Sequence, residues 1–113
     1  MLREIILYKT YFTDFYSQLP LAVQDKFDYV LNLVRQEPRV PEKFLKHLTD
    51  TDELFEIRVK SGGNIYRTFC FFDAGRLVVV LTGFQKKTDK TPRTELARAE
   101  ALKQEYLITK KTR

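Results

Sequence analysis

The chain has 113 residues, 43% of them hydrophobic, which is enough for one core and too few for two domains. No run of about 18 apolar residues could span a bilayer, and the opening Met1-Leu2-Arg3-Glu4 turns polar too soon for a signal peptide, so a cytoplasmic protein without membrane partners is expected. One cysteine (Cys70) and one histidine (His47) exclude an internal disulfide and a structural zinc set; no metal or cofactor is expected, and only an all-carboxylate magnesium site stays formally open.

The net charge of +5 is unevenly spread, because the chain is neutral through Gly83 and the whole excess lies from Phe84 onward. An anionic partner for that end and a merely solvated helix face fit this charge equally well.

In chain order, Arg3 to Tyr8 is short and β-prone and predicts a first strand. Thr13 can cap a short helical turn, and Pro20 suits a first helical position. Leu19, Val23, Phe27, Val30, Leu31 and Val34 then recur at three and four, the stripe of a helix ending before Pro38. Pro38 to Asp52 reads as a connection, with a turn of helix around Glu42 to Lys46.

A meander follows. Leu54 to Lys60 alternates, with Phe55, Ile57 and Val59 opposite Glu56, Arg58 and Lys60; Ser61-Gly62-Gly63-Asn64 is a turn, and Ile65 to Phe72 returns. After Asp73-Ala74-Gly75, Leu77 to Phe84 is apolar on both faces and predicts a covered central strand. Thr91-Pro92 opens a last helix with Glu95 in its first turn and Leu96, Ala99, Leu102 and Tyr106 on its buried stripe, before a disordered basic tail from Lys110 to Arg113. The order is that of a single α+β domain over residues 1–109, its helices gathered on one side of the sheet.

Most catalytic constellations are absent: there is no Gly-rich phosphate loop, no convincing Ser/His/Asp set and no metal cluster. What remains is cationic. Arg58 and Lys60 project from one strand face, and Arg67 stands in an apolar run where a lone guanidinium must find a partner. Glu56 across the hairpin could supply it as a structural ion pair. Alternatively, Arg58 and Arg67 lie side by side as bidentate donors to a phosphate, with Lys86 and Lys87 closing the site. Phe84 fits the core or a base-stacking platform.

Together, Glu56-Ile57-Arg58, Tyr66-Arg67 and Gly83-Phe84-Gln85-Lys86-Lys87-Thr88, leading through Thr91-Pro92 into a helix, resemble the HigB-like branch of the RelE/ParE toxin superfamily. The resemblance covers nearly the whole chain and implies the toxin of a type II toxin-antitoxin pair. Such a toxin is a metal-independent endoribonuclease that cuts messenger RNA, typically on the ribosome, and is neutralised by a partner antitoxin, often a small helix-turn-helix protein.

By family position Arg58 and Arg67 would hold the scissile phosphate, each such donor contributing about 3 to 4 kcal/mol. Lys86 or Lys87 would transfer a proton, and Lys60, Phe84, Lys90 and Arg93 would contact RNA. Some relatives use a tyrosine or histidine near the C-terminus; here Tyr106 has the spacing of a core residue and His47 that of a surface one. Two other activities compete: gyrase poisoning, as in ParE-like members, and nucleic-acid binding without catalysis, as in a prophage remnant.

Overall fold

A computed structural model describes residues 2–88 and 90–111. The elements run β1 (Glu4–Leu7), α1 (Tyr11–Ser17), α2 (Leu21–Gln36), β2 (Leu45–His47), β3 (Phe55–Ser61), β4 (Asn64–Asp73), β5 (Leu77–Lys86) and α3 (Arg93–Lys111). They form one five-stranded sheet of order β1-β5-β4-β3-β2, in which β1 pairs parallel to β5 and the remaining pairs are antiparallel. No helix among the described residues is long and apolar enough to cross a membrane.

The predicted α+β order of strand, helix pair, meander and helix is the observed one. Gly62 and Gly63 both take positive φ, at +58° and +79°, the backbone a two-residue hairpin with the twist of its strands requires. That turn closes on the pair Ser61–Asn64 and sets the β3–β4 register. In α2 the predicted stripe of Val23, Phe27, Val30, Leu31 and Val34 is buried, with Pro20 at the N-cap position.

Three differences from the sequence expectations have physical reasons. First, the helices lie on both faces of the sheet. Phe12, Val23, Phe27 and Val30 pack on Ile57, Val59, Cys70, Val78 and Val80. Ala99 and Leu102 cover Phe69, Phe71, Val79 and Leu81 on the other side. A central strand apolar on both faces needs both covers.

Second, the expected helical turn near Glu42 is a single turn, in which the Pro41 carbonyl accepts from the Phe44 and Leu45 amides, and the chain then extends into β2. Pairing with β3 satisfies backbone groups that a surface connection would leave to water. Third, Lys110 and Lys111 belong to α3, where Lys110 bridges to Asp73 at 2.7 Å; Thr112 and Arg113 of the expected tail lie outside the described residues. Thr13, expected as a cap, lies inside α1, which has Thr10 at its N-cap position.

A β-bulge in β5 decides which side chains share a face at the end of that strand. Thr68 pairs with Gly83 but Cys70 with Val80, so Leu81 and Thr82 together oppose Phe69. The extra residue inverts the alternation, so that Phe84 and Lys86 emerge on the α3 face instead of the α1–α2 face.

At the bulge a Cβ on Gly83 would lie 2.4 Å from Phe15 Cδ2 and 2.8 Å from Thr68 Oγ1. Gly83→Ala should therefore lose about 1 to 3 kcal/mol of stability, as overpacked cores do, read as a lower urea midpoint at unchanged slope. At the far end of β4, bonds from Lys110 and Tyr106 hold the Asp73 carboxyl below its ordinary 3.8. Such a group stabilises fully above 3.8 and loses its contribution as pH falls through the lower folded value. Urea melts between about pH 5 and 2 should show an acid-side decline that is shallower in Asp73→Asn.

Candidate functional site

The register of three adjacent strands builds the site. Arg58 on β3 pairs with Arg67 on β4, which pairs with Phe84 on β5; one step further along, Lys60 pairs with Ile65 and Ile65 with Lys86. Two rows on the α3 face thus bring together Arg58, Arg67, Lys60, Phe84 and Lys86. The bulge is what places the last two there.

Glu56 holds the arginines. Its carboxylate, 2% exposed, lies 3.3 Å from Arg67 Nε and 3.6 Å from Arg58 Nε through Oε1. Oε2 accepts a 2.6 Å hydrogen bond from the Thr91 hydroxyl, which ties the segment entering α3 to β3. Arg67 is 4% exposed, and its Nη1 donates to the Tyr66 carbonyl at 3.0 Å. Arg58 Nη1 reaches the Glu42 carbonyl at 3.4 Å. The ion pair and the side-by-side arginines, alternatives in the sequence, are therefore one arrangement.

That arrangement leaves positive charge over. One carboxylate faces two guanidinium groups, and the Nε atoms of both are buried without a hydrogen bond. Burial first, then the charge of Arg58, lowers the Arg67 pKa, with Glu56 opposing both. Arginine's ordinary value is so high that the group keeps its proton. A like-charged pair that shares one carboxylate, with Arg67 buried and Arg58 partly exposed, is completed by an anion with several oxygens, such as a phosphate.

The other sequence candidates spread around this centre. Phe84 is 9% exposed and tilts onto Phe69 at 5.5 Å, so its ring supports the row from the core and offers little open face. Lys86 shares the arginine face and is half-buried; Lys87, past the end of β5, is exposed beside Phe84, Thr88 and Pro92. Lys90 and Arg93 flank the start of α3, Lys90 exposed and Arg93 exposed in its first turn. Tyr106 donates to Asp73 at 2.9 Å and packs edgewise on Tyr8 and Phe71. Asp73 ends β4, roughly 20 Å along the strand from Arg67. His47 is exposed and paired with Glu53 at 3.0 Å. The part played by Thr91 has no signal in the sequence, since its bond depends on how the segment after β5 folds back.

The family model described as Phage derived protein Gp49-like (DUF891) matches residues 14–104. The chain belongs to the Gp49-like family. This family is of the RelE/HigB toxin type, which places the chain in the RelE superfamily without singling out the HigB-like branch. The matched span holds Glu56, Arg58, Arg67, Lys86 and Thr91. No curated protein sequence matches. Among solved structures, a chain of the archaeal RelE-RelB complex from Pyrococcus horikoshii OT3 superposes with a TM-score of 0.57 and 22% identity, over 75% of this chain and 96% of that one. At that identity the likeness is one of fold, and it confirms the architecture of this Gp49-like protein.

Removing Glu56 would leave two arginines facing each other, one of them almost fully desolvated. Glu56→Ala should therefore lose about 3 to 5 kcal/mol, the usual effect of breaking a buried ion pair from one side. Equilibrium unfolding in urea checks this, and added inorganic phosphate should restore part of the loss by replacing the missing anion.

Proposed function

We propose that this Gp49-like protein is the endoribonuclease toxin of a toxin-antitoxin pair and cleaves messenger RNA without a metal ion. The observation that carries the reading is the Arg58–Arg67 pair, two guanidinium groups held side by side by the single carboxylate of Glu56. The family, of RelE type, and the shared fold support it.

In this chemistry the ribose 2′-oxygen attacks the adjacent phosphorus. The new O–P bond forms as the bond to the 5′-oxygen breaks, leaving a 2′,3′-cyclic phosphate and a 5′-hydroxyl. One proton leaves the attacking hydroxyl and another must reach the departing oxygen. Arg58 and Arg67 would hold the non-bridging oxygens, whose charge grows in the transition state, and preorganised donors are strongest in such a water-poor setting.

Lys86 is assigned the proton transfer to the departing 5′-oxygen, with solvent water taking the proton of the 2′-hydroxyl, because the bulge sets it on the arginine face next to the Arg67–Phe84 pair. Lys60, Lys87, Lys90 and Arg93 would bear on the flanking backbone, where phosphate contacts position the strand without reading its sequence. The antitoxin would silence the enzyme by covering or distorting the cationic face, and the ribosome would present the messenger in extended form.

Expression without an antitoxin should arrest growth and leave new transcript 5′ ends within reading frames; relaxed or broken DNA with intact transcripts would instead indicate gyrase poisoning. In a purified assay run with and without ribosomes, Arg58→Ala or Arg67→Ala should lower the cleavage rate by about 10² to 10³ while RNA is still bound. Lys86→Ala should also remove one limb of the pH–rate profile.

A further inference from the structure

The cations of the proposed nuclease site continue beyond the sheet face. Arg58 and Arg67 also line a groove of about 410 Å³ that passes over the outer edge of β3 to α2, where Tyr29 and Phe44 form its far wall. The groove exists because β2 is short. Its ladder with β3 ends at Leu45–Ile57, followed by one bond from the Arg58 amide to the Phe44 carbonyl, so the rest of the β3 edge is uncovered. Lys26 on α2 donates to the Lys60 carbonyl at 2.8 Å and bridges helix and strand across it.

Three properties of the groove point to one kind of ligand. Its lining contains five cations and, among the described residues, no carboxylate. Tyr29 is 58% exposed although it borders a largely apolar wall, and it meets Phe44 edge to face at 5.9 Å and 75°. Lys43 lies over the Phe44 ring at 4.9 Å, which leaves Tyr29 as the open aromatic surface. At the other end stands the buried guanidinium of Arg67, which shares the single carboxylate of Glu56 with Arg58. An aromatic face, a row of cations and a built anion site, in line and in a cavity the size of a small-molecule pocket, match a nucleotide of a single strand.

We infer that this groove is a nucleotide subsite, in which the nucleotide next to the phosphate held by Arg58 and Arg67 lays its base on Tyr29 while Lys43 and Lys60 meet the flanking phosphate. The inference deepens the nuclease reading and rests on it for the position of the scissile phosphate. Stacking accepts any base, so the subsite contributes grip and register more than sequence choice.

The test uses the full chain and a short RNA with 2′-O-methyl groups, which lacks the attacking hydroxyl and reports binding alone, beside the same backbone without bases. Tyr29→Ala should weaken binding of the base-bearing probe about tenfold and leave the abasic probe unchanged, and Tyr29→Trp should restore the loss. Tyr29 is exposed, so an unchanged melting temperature shows that the variant is folded. Equal effects on both probes, no effect on either, or preferential capture of a glutamate-rich peptide in place of RNA would overturn the subsite. Failure of the nuclease reading shows separately, as base-dependent binding of the methylated probe without cleavage of unmodified RNA.

Discussion

Glu56 is a carboxylate with almost no contact with water, and Arg58, Arg67 and Thr91 surround it. Each of those partners comes from a different part of the chain, and Glu56 is the point at which they meet. Arg58 shares its strand, Arg67 comes across the hairpin, and Thr91 comes from the segment that leads into α3. Desolvating so many charges is unfavourable, and hydrophobic replacements of similar volume are often neutral or more stable. What the polar cluster provides is a fixed position for two guanidinium groups that would otherwise repel each other and swing into solvent.

The rest of the fold supplies the setting. The Gly62–Gly63 turn sets the β3–β4 register and so puts Arg58 opposite Arg67. The β5 bulge turns Phe84 and Lys86 to the same face, and α1 and α2 seal the opposite one. The short β2 stops where the arginines begin, and it is this early stop that opens the groove towards Tyr29. Two charged clusters thus lie along β4: Asp73 with Tyr106 and Lys110 at its last residue, and Arg67 with its neighbours nearer its start.

Much of this was legible in the residues. The stripe from Val23 to Val34 and the alternation of Phe55, Ile57 and Val59 each obey one period over enough residues to be read directly. The pairing of Glu56 with an arginine followed from the desolvation of Arg67. Other features lacked a local signal. Leu45-Lys46-His47 is too short for a period to show, and its strand state comes from the partner it finds in β3. Val78 to Leu81 are buried on both sides, which shows that two covers exist but not which helix provides each. The bulge is set by the pairing of two strands, so simple alternation from Val78 onward would put Phe84 and Lys86 on the wrong face. Lys103 of α3 is buried with its ammonium bonded to the Asp52 carbonyl and seated over Phe71, a contact with a distant loop that no local pattern marks.

The parallel pairing of β1 with β5 joins the first strand to one that begins about 70 residues later, and such distant contacts form late because the intervening chain must first be ordered. During synthesis the hairpin bearing Arg58 and Arg67 emerges before β5, and Thr91 later still. The buried carboxylate therefore lacks its full set of partners until the strand that completes the sheet and the segment after it have both left the ribosome. A nascent chain carries the charged residues of the site well before it carries the site itself. For a protein whose proposed target is the messenger being translated, this order of assembly delays completion of the site until the segment bearing Thr91 has emerged.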